Sequence, residues 1–321
     1  MEPQLELRPV QTTHVHPPPN LAQVSSFLAG SIYSPSPDGV NLNLLVLLHG
    51  LGDTAAPFAQ LSKSLNLPQT AVLSLKAPER IPLLEEEAYA WWDSFDEMGE
   101  LIARPNPAAT LHLLVKLVEH LTAPVSTSSP SSSATAGGGC GWKPSQIHLF
   151  GYAQGGTCAG ELALAWAKAH PVDVGGGGAP TSSSPSSTTT SSSTSGATAV
   201  EHGHLGSLVA VSAPLLSHPT PSPSTQSRTR ALVVFRPHEQ RAVGPSSWQR
   251  GFARCDAVTL SGSRGGGGGG GGGEGMLRGR DEWVAVMRFW SEVLARKSAL
   301  ELGGDVFEVT AGAPTPRVAP R

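Results

Sequence analysis

The chain has no strong charge of either sign, no cysteine framework, no long apolar run and no histidine beyond His238. Its formal net charge is −3 over 321 residues, so no broad electrostatic attraction to nucleic acid is expected. Arg228, Arg230, Arg236 and Arg241 lie close together in sequence and read as part of a solvated loop. Cys140, Cys158 and Cys255 show no regular spacing, which argues against a disulfide scaffold. Cys158 reads as a buried structural thiol. No apolar run approaches the ~20 residues that span a bilayer. The N-terminal stretch "MEPQLELRPVQTTHVHPPP" carries neither the basic start nor the apolar segment of a secretory signal. A cytoplasmic location is therefore expected. His202 and His204 are spaced like metal ligands but have no third partner nearby. His14 and His16 in the proline-rich head read as exposed. No metal and no cofactor is implied.

Four tracts are poor in apolar residues: Ala123 to Pro144, Pro171 to Ala199, Ser217 to Thr229 and Ser261 to Gly275. They are expected to be disordered insertions, because they cannot bury enough surface to offset the entropy of ordering. Longer loops are tolerated, since each doubling of length costs only ~0.6 kcal/mol. Removing them leaves roughly 240 residues, a size that suits one α/β domain. The boundaries expected are an N-terminal segment at 1–37, a domain at 38–298 and a tail at 299–321. The run Gly265 to Gly273 lacks the Lys-Ser/Thr that would make it a phosphate loop. The Ser/Thr- and Gly-rich tracts could alternatively serve as docking segments for a partner.

Between the tracts, apolar and amphipathic runs alternate. Leu42 to Gly50, Thr70 to Pro78, Ile147 to Gly151, Ser207 to Leu216, Ala231 to Phe235 and Asp256 to Leu260 read as strands, the continuous apolar ones as central parallel strands. Helical patterns cover Ala56 to Leu65 and the stripe Leu111, Leu114, Leu117, Val118, Leu121. Gly155 to His170 is a third. The stripe Trp283, Val286, Met287, Trp290, Val293, Leu294 is a fourth, with Asp281 as its expected N-cap. Glu85, Glu86 and Glu87 read as the solvated face of a helix. The alternation predicts a mostly parallel sheet covered by helices on both faces.

Two strand-end loops carry the chemical signal. One is His49-Gly50-Leu51-Gly52-Asp53; the other is Gly151-Tyr152-Ala153-Gln154-Gly155. The second has the strand–turn–helix setting of a G-x-S-x-G nucleophile elbow, with alanine where the serine would stand. Ligands in open α/β sheets bind outside the carboxyl ends of the strands. The backbone N–H groups of Leu51 and Gln154 are the expected oxyanion donors, and neither depends on its side chain. His49 is expected to shape its loop by hydrogen bonding, and Tyr152 to form a pocket wall.

The segments "LLVLLHGLGDT", "AYAWWDSF" and "IHLFGYAQGGT", in that order, resemble the phospholipase/carboxylesterase family that includes acyl-protein thioesterases. The resemblance runs over roughly residues 41 to 297. It implies an α/β-hydrolase fold and a Ser-Asp-His triad acting on carboxylic esters or acyl thioesters. His49, Gly50, Gly52, Asp53, Trp91, Trp92, Asp93 and Tyr152 would then form the binding surround. The nucleophile position is Ala153. The acid position falls on Gln240, with Glu239 beside it, and the histidine position falls on Arg278. The expectation is a protein that binds an acyl ester, an acyl thioester or a lipid-modified protein with absent or impaired hydrolysis. The alternative is an active hydrolase with a rearranged site, in which Glu239 and His238 or His204 activate a water.

Overall fold

The computed structural model describes residues 5–9, 16–82, 84–125, 138–171, 203–219, 225–260, 275–302 and 307–311. Strand β1 (Leu5–Pro9) pairs with the last strand of the chain. The short helix α1 (Leu21–Val24) precedes β2 (Ile32–Ser34), β3 (Asn43–Leu48), helix α2 (Ala55–Leu65) and β4 (Thr70–Leu75). A two-stranded arm follows, β5 (Glu79–Arg80) with β6 (Tyr89–Ala90). Helix α3 (Ala108–Thr122) leads to β7 (Ile147–Tyr152), α4 (Gln154–Ala169), β8 (Ser207–Val211) and β9 (Arg230–Phe235). The remainder is α5 (Gln240–Val243), α6 (Pro245–Gly251), β10 (Cys255–Thr259), α7 (Gly279–Val293), α8 (Ala299–Leu302) and β11 (Phe307–Ala311), the partner of β1.

The central sheet runs β10-β9-β8-β7-β3-β4-β2. All its pairings are parallel except that of β2 at the edge. Successive residues of β3 enter different cores, as strand geometry requires. Leu44, Val46 and Leu48 pack with Leu114 and Leu117 of α3 and with Leu162 and Trp166 of α4. Leu45 and Leu47 pack with Phe58 of α2 and with Val286, Phe289 and Trp290 of α7. Helices thus cover both faces of a mostly parallel sheet, as the alternation predicted, and the layout is consistent with the α/β-hydrolase fold that the resemblance implies.

Several expectations shift at the edges of elements. The fourth strand stops at Val211, where Ser212 takes a φ of 50°. The last long helix starts at Gly279 with Arg278 at the N-cap, so Asp281 is not the cap. Asp281 and Glu282 instead occupy the first turn, where carboxylates suit the helix dipole. Glu85, Glu86 and Glu87 are exposed, but they lie between β5 and β6 and not on a helix. Arg230 belongs to β9 and pairs with Glu292 at 3.0 Å, while Arg236 is mostly buried, so neither is a solvated loop residue.

The margins of the apolar-poor tracts also join the core. Cys140 and Trp142 are buried, and so are Ser227 and Thr229. Their backbones are tied in by bonds such as Trp142 N–H to Leu121 O, 3.0 Å. Composition underestimates such segments because one tryptophan buries as much surface as several small residues. The interiors of these tracts, the nine-glycine run, His14 and His202 lie outside the described residues. All three cysteines are free thiols, with Cys158 fully buried on α4.

The sheet reverses its winding at β3, which has β4 on one side and β7 on the other. In such sheets the crevice above the reversal is the usual ligand site. Leu48 at the end of β3 lies beside Gly151 of β7, so the two signal-bearing loops emerge side by side. Helix α4 lies so close to both strands that side chains are excluded there. A Cβ on Gly155 would fall 2.2 Å from Leu48 O and 2.4 Å from His49 O, both backbone atoms. Gly155→Ala is therefore expected to lower stability by at least ~1–3 kcal/mol, the range for overpacking, measured by urea unfolding. The exposed glycine Gly52, at φ 81° with nothing near its Cβ position, provides the contrast. Its replacement by alanine should cost only ~1 kcal/mol of backbone strain.

Candidate active site

Ala153 stands between β7 and α4 with φ 48° and ψ −117°. This conformation is costly for any residue with a Cβ, at ~1–3 kcal/mol, and persists only where the surroundings fix it. The fixing contacts are clear. Ala153 N–H donates to Val211 O at 2.9 Å, and Thr157 N–H donates to Ala153 O at 3.0 Å. The neighbouring glycines permit the turn: a Cβ on Gly151 would meet the Gly155 carbonyl at 2.4 Å. The sharp elbow predicted from the sequence is thus present, with a half-buried methyl group at its tip.

The loop after β3 comes against this tip. A Cβ on Gly50 would lie 2.8 Å from Cδ1 of Tyr152 and 3.8 Å from the Ala153 Cβ. Leu51 is half-buried in the turn beyond it. Gly52 N–H donates to Tyr89 O (3.0 Å) and Tyr89 N–H to Asp53 O (3.2 Å), which ties the turn to β6. The Asp53 carboxylate accepts the Thr54 N–H at 2.8 Å, just before α2. Gln154 is the first residue of α4, where backbone N–H groups have no intrahelical acceptor.

His49 does not reach the cleft. It is fully buried, and both ring nitrogens have partners. Nε2 accepts the Ala77 N–H at 3.1 Å, which leaves Nδ1 to donate to Gly50 O at 2.7 Å. Burial also pushes its pKa down, so the ring stays neutral and braces the loop.

Trp91 and Trp92 are core residues, whereas Asp93 is exposed. Trp91 Nε1–H donates to His49 O at 2.8 Å, and the Thr110 hydroxyl bonds the Trp91 carbonyl. The Gln154 side chain links this segment to the elbow. Its Oε1 accepts the Trp91 N–H at 3.1 Å, and its Nε2 donates to Ser94 Oγ at 2.7 Å. One glutamine therefore couples the tip of the elbow to the Trp-Trp-Asp-Ser loop.

The two acid candidates are separated by the structure. Gln240 is exposed at the start of α5. Glu239 points back to the ends of β8 and β9, where its Oε2 accepts the Ser212 hydroxyl (2.8 Å) and the Arg236 N–H (2.7 Å). Ser212 follows Val211, whose carbonyl holds the elbow, so the Glu239 carboxylate is one residue removed from Ala153's own support. The Glu239 carboxylate thus faces the strand ends, one residue before the exposed glutamine.

Arg278 is exposed at the N-cap of α7, and its backbone N–H donates to Glu282 Oε2 at 2.6 Å. The same carboxylate is gripped by Arg236 through two bonds, Nη1 to Oε1 at 2.7 Å and Nη2 to Oε2 at 3.2 Å. The two side chains are only 11% and 16% exposed. Hydrogen bonds from Arg236 hold the Glu282 carboxyl below its ordinary range, against the opposing effect of burial. Glu282 in turn raises the Arg236 guanidinium, with Glu239 and Tyr152 adding to the effect. His238 is exposed, and His204 Nδ1 bonds the Leu205 carbonyl at 3.0 Å. The described residues contain no group of three or more potential metal ligands.

Sequence reasoning missed Ser212, Arg236 and Glu282. A positive φ at a serine leaves no mark in sequence. An Arg–Glu pair 46 positions apart has no local signature either.

A nucleophile elbow, an adjoining H-G-L-G-D loop and a six-strand parallel sheet with one antiparallel edge match what known proteins show. Residues 35–215 match the phospholipase/carboxylesterase family, more than half of the chain. The chain belongs to that family. An uncharacterized hydrolase of Mycosarcoma maydis is 34% identical over 283 residues, covering 88% of this chain and 87% of the relative. An uncharacterized hydrolase of Schizosaccharomyces pombe is 30% identical over 122 residues, 36% of this chain and 44% of that protein. The crystal structure of esterase PE8 superposes with a TM-score of 0.53 at 16% identity, over 83% of this chain and 99% of the esterase, which shows the shared fold. Among the described residues no helix is long and apolar enough to cross a membrane.

The Arg236–Glu282 pair joins the end of β9 to the start of α7. Glu282→Gln is expected to lower stability by roughly 1–3 kcal/mol at neutral pH, the range for charge-assisted hydrogen bonds. Because the folded carboxyl titrates below its ordinary value of 4.5, the wild-type advantage is complete above that value. It is lost as pH falls through the folded pKa. Urea midpoints of the two proteins should converge in acid; a constant gap would show that the charge is not responsible.

Proposed function

We propose that this phospholipase/carboxylesterase-family chain binds acyl esters, acyl thioesters or lipid-modified protein in the crevice above β3 and β7, with hydrolysis absent or strongly impaired. The observation that carries this reading is the methyl group at the elbow tip, held in the strained backbone conformation that would present a nucleophile. A methyl group has no lone pair to attack a carbonyl and no proton to yield. Removing a triad serine costs on the order of 10⁶ in turnover, roughly 8 kcal/mol of barrier. Arg278 compounds the loss, because a guanidinium cannot act as a base near neutral pH. Binding is not affected in the same way. The oxyanion donors proposed at Leu51 and Gln154 are backbone groups, independent of the residue at position 153.

One observation favours the second reading, an active hydrolase with a rearranged site. The Ser212 hydroxyl donates to the Glu239 carboxylate at 2.8 Å beside the elbow. That pair supplies a hydroxyl and a negative charge, but Glu239 is already committed to the Arg236 N–H.

Turnover of a short p-nitrophenyl ester and of an acyl thioester decides between them. The wild type is expected to remain at the buffer rate, and Ala153→Ser alone to stay near it. Ala153→Ser with Arg278→His, leaving Glu239 as acid, should exceed the single variant by about 10²-fold or more. Wild-type turnover well above buffer that Ser212→Ala abolishes would establish the second reading. A non-hydrolysable acyl thioether should bind the wild type in calorimetry; no heat at any acyl length would refute the binding reading.

A further inference from the structure

The turn from Ser94 to Ile102 lies outside the triad positions and outside the oxyanion donors, yet it is built with care. Ile102 N–H donates to Ser94 O (2.9 Å), Asp96 N–H to Glu100 O (2.9 Å) and Gly99 N–H to Asp96 O (3.0 Å). The Asp96 carboxylate accepts the N–H groups of both Met98 and Glu100 at 2.9 Å. Its base is fixed to the elbow, because Ser94 Oγ accepts a bond from Gln154. This hydrogen-bonded turn holds apolar side chains out to solvent: Phe95 is 38% exposed, Leu101 67% and Met98, at the tip, 87%. Phe95 and Leu101 are antiparallel bridge partners, so they project side by side from one face. Single exposed apolar residues need no explanation, but here two are paired across a bridge and a third stands at the tip of the same turn, and grouped exposed apolar residues mark contact surfaces.

Charge identifies what the surface suits. Residues 79–104 carry eight carboxylates against two arginines, a net charge of −6, whereas the whole chain carries −3. All eight acidic residues are exposed, and Asp96, Glu97 and Glu100 surround Met98. Such a field repels an anionic lipid surface and attracts a cationic chain within a Debye length of about 10 Å. We propose that the Ser94–Ile102 turn is a docking surface for a basic peptide segment, with Phe95, Met98 and Leu101 receiving an apolar side chain between its lysines or arginines. The attachment of the turn to Gln154 places such a segment at the lip of the crevice. A peptide held there would present an attached acyl group to the crevice. That last step alone rests on the acyl-binding reading above.

A fluorescein-labelled, unacylated peptide of six lysines flanking a Phe-Leu pair tests the turn by itself, using anisotropy with the full chain. Saturable binding is expected, weakening at least tenfold when ionic strength rises from about 0.05 M to about 0.5 M. Met98→Ser with Leu101→Ser, and separately Glu97→Gln with Glu100→Gln, should each weaken it about tenfold with unchanged thermal melting, a loss of ~1.4 kcal/mol. A peptide with glutamates for the lysines should not bind. Equal binding of both peptides, or affinity untouched by the paired variants, would overturn the proposal. So would co-sedimentation with neutral phosphatidylcholine vesicles that needs Met98, or dimerisation that the same substitutions abolish. Adding a thioether-linked acyl chain to the peptide separates the two readings: tighter binding from the chain in both turn variants would report the crevice, and lysine-dependent binding without it would report the turn.

Discussion

The close approach of α4 to the ends of β3 and β7 governs everything above the sheet. Gly151, Gly155 and Gly156 let the helix backbone sit where a single Cβ would strike a carbonyl or the methyl of Ala213. That contact forces the chain to turn within one residue, and the turn places Ala153 at φ 48°. It also sets the first N–H groups of α4 beside the loop that leaves β3. The conformation is a consequence of packing, not of the side chain at its tip. An alanine can therefore occupy the elbow without changing its shape.

The surrounding polar groups serve to hold this arrangement. His49 spans from Ala77 N–H to Gly50 O as a neutral, buried brace. The Gln154 side chain extends from the elbow to Trp91 and Ser94, and Trp91 reaches back to the His49 carbonyl. These bonds link the two strand-end loops through the Trp91–Ser94 segment without using the side chain of Ala153. A satisfied buried network rigidifies its surroundings and is costly to break in part. The shape of the elbow thus depends on this network and not on the side chain of Ala153.

On the far side, the bidentate Arg236–Glu282 pair ties β9 to α7. Glu282 also accepts the N–H of Arg278, and Glu239 accepts the N–H of Arg236. Two carboxylates and a guanidinium fix the very loops that would carry an acid and a base. The charge here is spent on holding loops together. Beyond the rim, the acidic, apolar turn from Ser94 to Ile102 is bonded at its base to the same glutamine that braces the elbow.

Much of this was legible in order of residues alone. Continuous apolar runs such as Asn43–Leu48 and Arg230–Phe235 revealed buried parallel strands, because only strands covered on both faces lack polar alternation. The glycines around Ala153 revealed the elbow, since close backbone approach tolerates no other residue. Local sequence could likewise show that alanine stands between the elbow glycines. It could not choose between Glu239 and Gln240, because one residue of register in a short loop reverses which side chain faces inward. Nor could it show that Trp142 completes a core from within an apolar-poor tract, or that Arg236 meets Glu282. Those outcomes depend on distances between residues far apart in the chain, which only the folded backbone sets.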